Sequence, residues 1–599
     1  MAIFSPVLEQ VKLFTPVPEA GELAFLAFLQ EHLDDSYEVF FQPMLDGDRP
    51  DIVILRRNSG VAIVEVKDWH LGSYTCTSDG RWRLQSNGAE VLSPVSQVVH
   101  YKKHLIKLYI PDLCAEAEID KRLFAVVATA VYFHQASESE VRQFVRTRAE
   151  HTQLLGHDSL QKERFARLLR SWRMDRPSIL FNDLLYERFR HFLQPATHTL
   201  EQGIPLTYTP EQQKLLVSRA EQKKVSGVAG SGKTYVLAKR AVNAHLRTRA
   251  PVLVLTYNIT IKNYIHDRIS EVREEFDWKA FYITYYHCFF VSQANRYELP
   301  YSFDDNHESL SSFNNEEFFE SVAQRIQKFD AIFVDEVQDY RIEWLRILKR
   351  YFLRTDGEFV LFGDEKQNVY GRPLEGKLIR TNIRGPFTKL RQSHRLSSRL
   401  ADLASRFQTE FFATRHDVDT IESIRQIGLF KPHVEYGRCE KATPQRLAAI
   451  IDGYVQRWGI HPDDVAILCS QNDRVRELDR IVRTEWRQGT TSCTETQEQY
   501  DLLSQSKSGP SLDLALGEIR RSCRYNFWAH DGKVKISTFH SFKGWECSNV
   551  FVILEDQSRL NPAVDDELIY TAFTRSRDRL VLIDLGSSRY EAFFRRELQ

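Results

Sequence analysis

The stretch Gly227-Val228-Ala229-Gly230-Ser231-Gly232-Lys233-Thr234 restricts the fold of this chain more than any other part of it. It reads G-x-x-x-x-G-K-[ST], between the apolar-leaning Lys224 to Ser226 and a helix-like run from Tyr235. Glycines let successive backbone N–H groups turn toward phosphate oxygens, and the helix that follows points its positive end at the same place. Lys233 then reaches the β- and γ-phosphates, and Thr234 offers a hydroxyl to Mg²⁺. The motif predicts an α/β region with Gly227, Ala229, Gly230, Ser231, Gly232, Lys233 and Thr234 wrapped around the phosphates of a nucleotide.

The chain has 599 residues, enough for several domains. With 42% hydrophobic and 27% charged residues it is neither disordered nor fibrous. Lys+Arg total 80 against Asp+Glu 81, so any attraction to nucleic acid must come from local basic tracks. No basic region followed by a long apolar core opens the chain, and the apolar run Phe124 to Phe133 is too short to cross a bilayer. Eight cysteines without a C-x-x-C pair argue against a disulfide scaffold or a zinc ribbon. The expectation is a cytoplasmic protein that does not engage a membrane.

Downstream runs extend the nucleotide reading. Ala331 to Val334 is a buried strand, from whose end Asp335 and Glu336 emerge. Beside a phosphate loop, Asp335 would order Mg²⁺ and Glu336 would orient and deprotonate the attacking water. Val360 to Gly363 is a second such strand, with Gln367 placed to sense the γ-phosphate and Tyr370 to present a ring to a base. Pro251 to Leu255 leads to Tyr257 and Asn258, at the carboxyl end of a strand, where ligands of parallel sheets bind. Gln212, just ahead of the phosphate loop, has the paired donor and acceptor that an adenine edge requires.

The order of these pieces resembles a UvrD-like superfamily 1 helicase over roughly residues 201 to 599. Carrying the resemblance are Gln212, the phosphate loop, Thr256-Tyr257-Asn258, Thr284 with His287, Asp335 to Asp339, Gly363 to Gln367 and Gln392-Ser393-His394-Arg395. Thr538 to Glu546 matches the family's T-x-H-x-x-K-G-x-E element, and Thr571 to Arg577 matches its last motif. The resemblance implies two RecA-like halves, 201–395 and 396–599, with ATP between them. It implies Arg395 and Arg575 as arginine fingers, Glu546 on the ribose with Gly544 beside it, and His394 where a tyrosine commonly packs on adenine. Tyr257, Asn258, His287, Tyr370, Thr538 and His540 would face DNA, tracked 3′ to 5′. Arg372-Pro373 follows Tyr370-Gly371, where the family usually has a stacking tryptophan soon after. Only His287 to Phe333 and Arg483 to Lys533 are available for accessory domains, so both are expected as small inserts.

The N-terminal third carries other chemistry. Tyr37 to Leu45, Asp51 to Arg57 and Val61 to Trp69 read as strands, the last two joined at Asn58-Ser59-Gly60. Glu65 and Lys67 alternate with Val64 and Val66 and share a face. A three-residue turn at 58–60, with Gly60 at the strained position, sets Asp51 opposite Lys67 and Glu65 on the diagonal. Asp51 and Glu65 would hold Mg²⁺ or Mn²⁺, and Lys67 would orient or deprotonate water.

With Pro50-Asp51, Glu65-Val66-Lys67 and Gln97 to Tyr101, residues 15 to 135 resemble the PD-(D/E)xK nuclease fold, and more closely a NERD (nuclease-related) domain. That resemblance implies Gln97 and Tyr101 as supports of the site, with Glu22, on the first helix, a further metal ligand or a plain helix-start acid. Residues 136–200 turn helical and arginine-rich, a spacer between a nuclease-like domain (1–135) and the motor, or a basic bridge for DNA. The fold expected is multidomain α/β. The function expected is an ATP-dependent translocase on single-stranded or tailed duplex DNA, joined to a metal-dependent nuclease, in DNA processing, repair or anti-phage defence. A DNA-sensing ATPase switch whose N-terminal domain docks a protein partner is the alternative, and an RNA-directed motor a third.

Overall fold

The computed structural model describes the chain apart from residues 1, 6–7, 12–17, 44–49, 78–80, 89, 146–150, 194–207, 273, 302–310, 425–432, 441, 529–531, 556–564, 587 and 599. It divides into two compact units, Met1–Ala196 with His287–Leu310, and Thr197–Tyr286 with Ser311–Gln599.

The first unit is built on a six-stranded sheet in the order Ile3–Ser5, Tyr37–Phe41, Ile52–Arg56, Gly60–Lys67, Val127–Phe133, Gln153–Gly156. Tyr37–Phe41, Ile52–Arg56 and Gly60–Lys67 form an antiparallel meander, and the last two strands add in parallel. Their Val, Ile, Leu and Phe side chains are buried along nearly the whole of each central strand, as in a sheet covered on both faces. The helix Ala20–His32 packs Phe25, Leu26 and Leu29 inward, Phe25 lying 5.1 Å from Tyr132. Its first turn comes so close to the sheet that a Cβ on Gly21 would stand 2.8 Å from His134 Cβ. The helix Pro94–His104, capped by Ser93 and opened by its proline, buries Gln97, Val98 and Tyr101.

The hairpin that carries the candidate pocket differs from its expected register. Arg56 pairs with Gly60 and Leu55 with Val61, so the turn is 57–59. Asn58, at φ 56°, takes the left-handed position. Asparagine tolerates that conformation, which frees Gly60 for a different need: a Cβ there would meet the Val126 carbonyl oxygen at 2.9 Å. Extending this register sets Asp51 opposite Glu65, with Lys67 on the diagonal. The shift is two residues, so all three remain on one face.

The stretch after 135 is not wholly helical. It supplies helices Glu138–Phe144, Lys162–Ser171 and Asp183–Leu193, but Gln153–Gly156 is the outer strand of the sheet. Four residues were too few for strand periodicity to stand out. Arg142, Arg164, Arg188 and Arg190 pair with Glu138, Asp158, Glu116 and Glu38, so they are largely neutralised inside the unit, which favours a structural stretch over a basic bridge. Arg146 and Arg148 lie outside the described residues.

The second unit contains two six-stranded, all-parallel sheets. The first runs Phe281–Tyr285, Val252–Thr256, Phe329–Val334, Leu353–Gly363, Gln222–Gly227, Thr388–Leu390. The second runs His433–Arg438, Ser576–Asp584, Cys547–Leu554, Val465–Cys469, Val534–Thr538, Thr490–Ser492. The two are tied by polar struts: Asn263 Nδ2 donates to the carbonyls of Tyr525 (2.9 Å) and Phe527 (2.8 Å), and Thr260 Oγ1 to that of Ser541 (2.9 Å). The insert in the second half is a pair of helices, Gln497–Ser506 and Pro510–Tyr525. No helix among the described residues is long and apolar enough to cross a membrane.

Candidate active sites

The phosphate loop joins Gln222–Gly227 to the helix Lys233–Thr248, with Gly230 and Gly232 at φ 73° and 77°. Both are also crowded: a Cβ would stand 2.4 Å from Arg395 Cβ at Gly230 and 2.6 Å from Gln212 Nε2 at Gly232. Lys233 Nζ folds onto the loop's own carbonyls, Gly227 at 2.7 Å and Val228 at 3.3 Å, partners that a phosphate would replace. Thr234 Oγ1 donates to Asp335 Oδ2 at 3.1 Å, which joins the two residues expected around Mg²⁺. Burial and the Glu336 charge push the Asp335 carboxyl up to about 7. Burial also acts to raise Glu336, but Lys543, Lys233 and Arg575 outweigh it, so Glu336 stays ionised and able to accept a proton. Glu336 itself adopts φ 54°, and Gln338 Nε2 donates to its Oε2.

The late motifs converge on this loop. Arg395 Nε donates to Glu546 Oε2 at 2.5 Å, and Arg575 Nη2 to Gln367 Oε1 at 3.1 Å. Gln367 Nε2 in turn donates to Asp364 Oδ2 at 2.8 Å, linking the late arginine to the first sheet. Burial and the Arg395 charge lower Arg575 to about 10, against the opposing pull of Glu336, Glu546 and Asp364. Gln212 Nε2 donates to the Ser231 carbonyl and lies 3.0 Å from His394 Nε2, while its Oε1 accepts the Thr209 N–H. Burial lowers His394 below its ordinary value, so the ring is neutral. Ala229 holds Ser393 Oγ through its carbonyl (2.9 Å), and Gly544, at φ 91°, leaves room for Ile261, whose Cδ1 would lie 2.4 Å from a Cβ. Lys543 had no role assigned from sequence. It is fully buried, and its Nζ donates to Asp339 Oδ2 at 2.6 Å and to the Gln367 carbonyl at 2.7 Å.

The residues expected to face DNA separate into two groups. Tyr257 and Tyr370 meet edge to face at 4.7 Å, with Tyr370 exposed and 5.9 Å from His540. Trp344 stacks on Tyr257 at 6.1 Å and on Tyr286 at 4.7 Å, and the Arg372 guanidinium lies 5.6 Å from the Trp344 ring centre. A shelf of rings therefore exists although the expected tryptophan position holds Arg372. Trp344, distant in sequence, gave no signal of it. Asn258 is instead a strut, donating to the His540 carbonyl at 3.1 Å, and Thr538 caps a short helix. His287 is buried in the segment that groups with the first unit.

In the first unit, Asp51, Glu65 and Lys67 come together as expected of one sheet face. Asp51 Oδ2 accepts the Val66 N–H at 2.6 Å, and Lys67 Nζ donates to Glu65 Oε1 at 3.0 Å. Burial and the Glu65 charge raise Asp51 well above the ordinary carboxylate range, and burial raises Glu65. Burial would lower Lys67, but Glu65, Glu298 and Asp51 together hold it above its ordinary value. Glu65 Oε2 is buried without a hydrogen-bond partner among the described residues, as is Gln97 Oε1. Two facing carboxylates, one with an orphaned oxygen, suit a divalent cation, although no group of three or more His, Cys, Asp or Glu among the described residues forms a cage. Gln97 Nε2 donates to Tyr101 OH at 2.8 Å within the buried helix face. Both oxygens of Glu22 are engaged, by Gln42 Nε2 (2.7 Å) and the Glu19 N–H (2.7 Å), so here it acts as a helix-start acid. Sequence reasoning missed Glu298, whose Oε1 lies 3.3 Å from Lys67 Nζ.

Three family models match the chain. Residues 18–134 match the nuclease-related domain, NERD; residues 212–373 match an AAA domain; residues 533–583 match the UvrD-like helicase C-terminal domain. No curated protein matches. A solved structure titled "The structure of PRRSV helicase" is 10% identical, over 63% of this chain and 55% of that one, at a TM-score of 0.29. That likeness is too loose to carry an argument, and this chain spans about half the length of that protein.

Proposed function

We propose that this chain, an N-terminal NERD domain fused to a UvrD-like helicase, is an ATP-dependent DNA translocase or helicase of 3′-to-5′ polarity whose NERD domain cuts DNA with the help of a divalent cation. The observation that carries the reading is the convergence of Arg395 and Arg575 with the phosphate loop, held in this form by Glu546 and Gln367. A bound triphosphate would take both arginines from those partners and Lys233 from the loop carbonyls. Glu336 accepts the proton of the attacking water, and the arginines neutralise charge on the transferring phosphoryl group. Thr234 and Asp335 would hold Mg²⁺, which shields the phosphate charge. Because Gln367 touches both Arg575 and Asp364, exchange of its partners joins nucleotide state to the relative position of the two sheets. Movement there would drag a single strand over Tyr370 and Tyr257, where stacking is tolerant of sequence.

At the NERD pocket, Asp51 and Glu65 would hold Mg²⁺ or Mn²⁺, which polarises a phosphodiester. Lys67 meets the developing charge and orients water. DNA processing, repair and defence against foreign DNA are the settings that such a pairing suits. A second reading, a DNA-sensing ATPase switch with a docking N-terminal domain, draws support from the small inserts and from the lack of a three-ligand metal cage among the described residues.

Nuclease and ATPase assays on single-stranded, blunt and tailed duplex DNA, with Mg²⁺ or Mn²⁺, separate the two. The first reading expects Lys233→Ala to abolish DNA-stimulated ATPase, and Lys67→Ala to abolish cleavage while ATPase persists. A wild-type protein that hydrolyses ATP but never nicks any substrate moves the conclusion to the switch.

A further inference from the structure

The connection leaving the motor strand Phe281–Tyr285 begins as the helix Tyr286–Arg296, and from His287 to Leu310 it groups with the NERD unit. The helix ends in a left-handed turn: the Leu299 N–H reaches the Ala294 carbonyl at 2.8 Å and the Glu298 N–H reaches that of Asn295 at 3.1 Å. The residue with positive φ, 57°, is Glu298, at a position that glycine or asparagine normally fills. A side chain that accepts such a conformation is held there by its surroundings. Here the Glu298 carbonyl accepts the Leu92 N–H at 2.9 Å, and its carboxylate reaches Lys67 Nζ at 3.3 Å.

We propose that Glu298 is a lock on the NERD pocket: a carboxylate from the motor's connecting segment that occupies Lys67 where a DNA phosphate oxygen must bind. The proposal rests on the nuclease reading of that pocket. Lys67 has two anionic partners within reach, Glu65 at 3.0 Å and Glu298 at 3.3 Å, and its ammonium lies 5.3 Å from the Trp69 ring centre. A phosphodiester is a third anion competing for the same donors. Glu65 cannot yield easily, since it sits two residues away on the same strand with its side chain 2% exposed. Glu298, 22% exposed, is the partner on the solvent side and the one that can leave. While it stays, both carboxylates hold the Lys67 ammonium away from an incoming phosphate. The same helix carries Tyr286, stacked at 4.7 Å on Trp344 of the aromatic shelf. Glu298 thus reaches the pocket from a segment that continues the motor strand Phe281–Tyr285 in sequence.

The test uses the full chain as wild type, Glu298→Gln and Glu298→Ala, with two readouts: acylation of Lys67 by an amine-reactive reagent, followed by mass spectrometry, and Mn²⁺-dependent nicking of single-stranded DNA without ATP. The lock predicts that both variants label Lys67 several-fold faster, because Glu298 no longer pairs with and covers the ammonium from the solvent side. It also predicts that both nick DNA faster than wild type. Unchanged labelling in both variants overturns the lock, whatever the cleavage. Where the wild type cleaves, faster labelling with nicking no faster than the wild-type rate overturns it as well. Faster labelling with no cleavage by any of the three proteins supports the hold of Glu298 on Lys67 and overturns the nuclease reading instead.

Discussion

Replacing Glu546 by glutamine removes one negative charge from the ATP cleft and changes little else. The Glu546 carboxylate accepts from Arg395 Nε at 2.5 Å and stands 3.8 Å from Arg577. Burial acts to raise this carboxyl, but Arg395, Arg577 and Arg268 outweigh it and hold it down at about 2, against an ordinary 4.5. At about 1.36 kcal/mol per unit, that depression sets an upper limit of about 3 kcal/mol on what the ionised group contributes. A carboxyl lowered by folding contributes fully above its unfolded value, and the contribution fades as pH falls from there toward the folded value. At pH 7.5, therefore, Glu546→Gln loses up to about 3 kcal/mol. Over a unit of about 380 residues, with an unfolding entropy of about 2.1 cal/mol/K per residue, its melting transition falls by about 4 °C.

Nucleotide should reverse most of that deficit. Without Glu546, Arg395 and Arg575 face one another with less compensation, and Arg575 is already depressed to about 10 by burial and by Arg395. A triphosphate supplies the missing negative charge. Scanning calorimetry with a saturating non-hydrolysable ATP analogue and Mg²⁺ should then show a larger upward shift in the variant than in wild type, by most of the original difference. Without nucleotide, the gap between the two proteins should be flat from pH 8 to 5.5 and narrow below about 4.5, the window set by the lowered carboxyl. A deficit that is the same with and without the analogue would refute the reasoning, because the arginines would then not be phosphate ligands.

Glu336→Gln should leave ATP binding near wild type and lower the hydrolysis rate by about 10²–10⁴-fold, read in single-turnover assays, because it removes the proton acceptor. Asp51→Asn should stabilise the NERD unit at pH 8, since the folded pocket raises that carboxyl and ionisation opposes folding as pH climbs; the gain should vanish near pH 4, as followed by urea titrations across pH. Gly60→Ala should destabilise the same unit by about 1–3 kcal/mol, because its Cβ meets the Val126 carbonyl oxygen rather than a movable side chain. Arg372→Ala should weaken binding of single-stranded DNA, measured by fluorescence anisotropy, because it unseats Tyr257, whose hydroxyl accepts from Arg372 Nη2 at 3.2 Å.

What could be read from the sequence was local or sat at the end of a strand. Gly230 and Gly232 are glycines because the backbone there is left-handed, and Thr234 meets Asp335 because both lie where strands of one parallel sheet end. Partners that meet through packing left no such trace. Trp344 and Arg372 complete the aromatic shelf from two separate connections, and Glu298 arrives at Lys67 from a residue 231 positions away. The hairpin shows where pattern is informative and where it stops. Alternation of apolar and polar residues determined the face of Asp51, Glu65 and Lys67 but left the register open by steps of two. The step has consequences. With the turn at 58–60, Asp51 would have opposed Lys67, and the two would have satisfied each other as an ion pair. With the turn at 57–59, Asp51 opposes Glu65, so a half-buried and a buried carboxylate face one another and both are raised. Here Lys67 pairs with one oxygen of Glu65, and the other oxygen has no hydrogen-bond partner among the described residues, the arrangement that a cation would complete. The register found is the one that the proposed metal-dependent reading of this pocket requires.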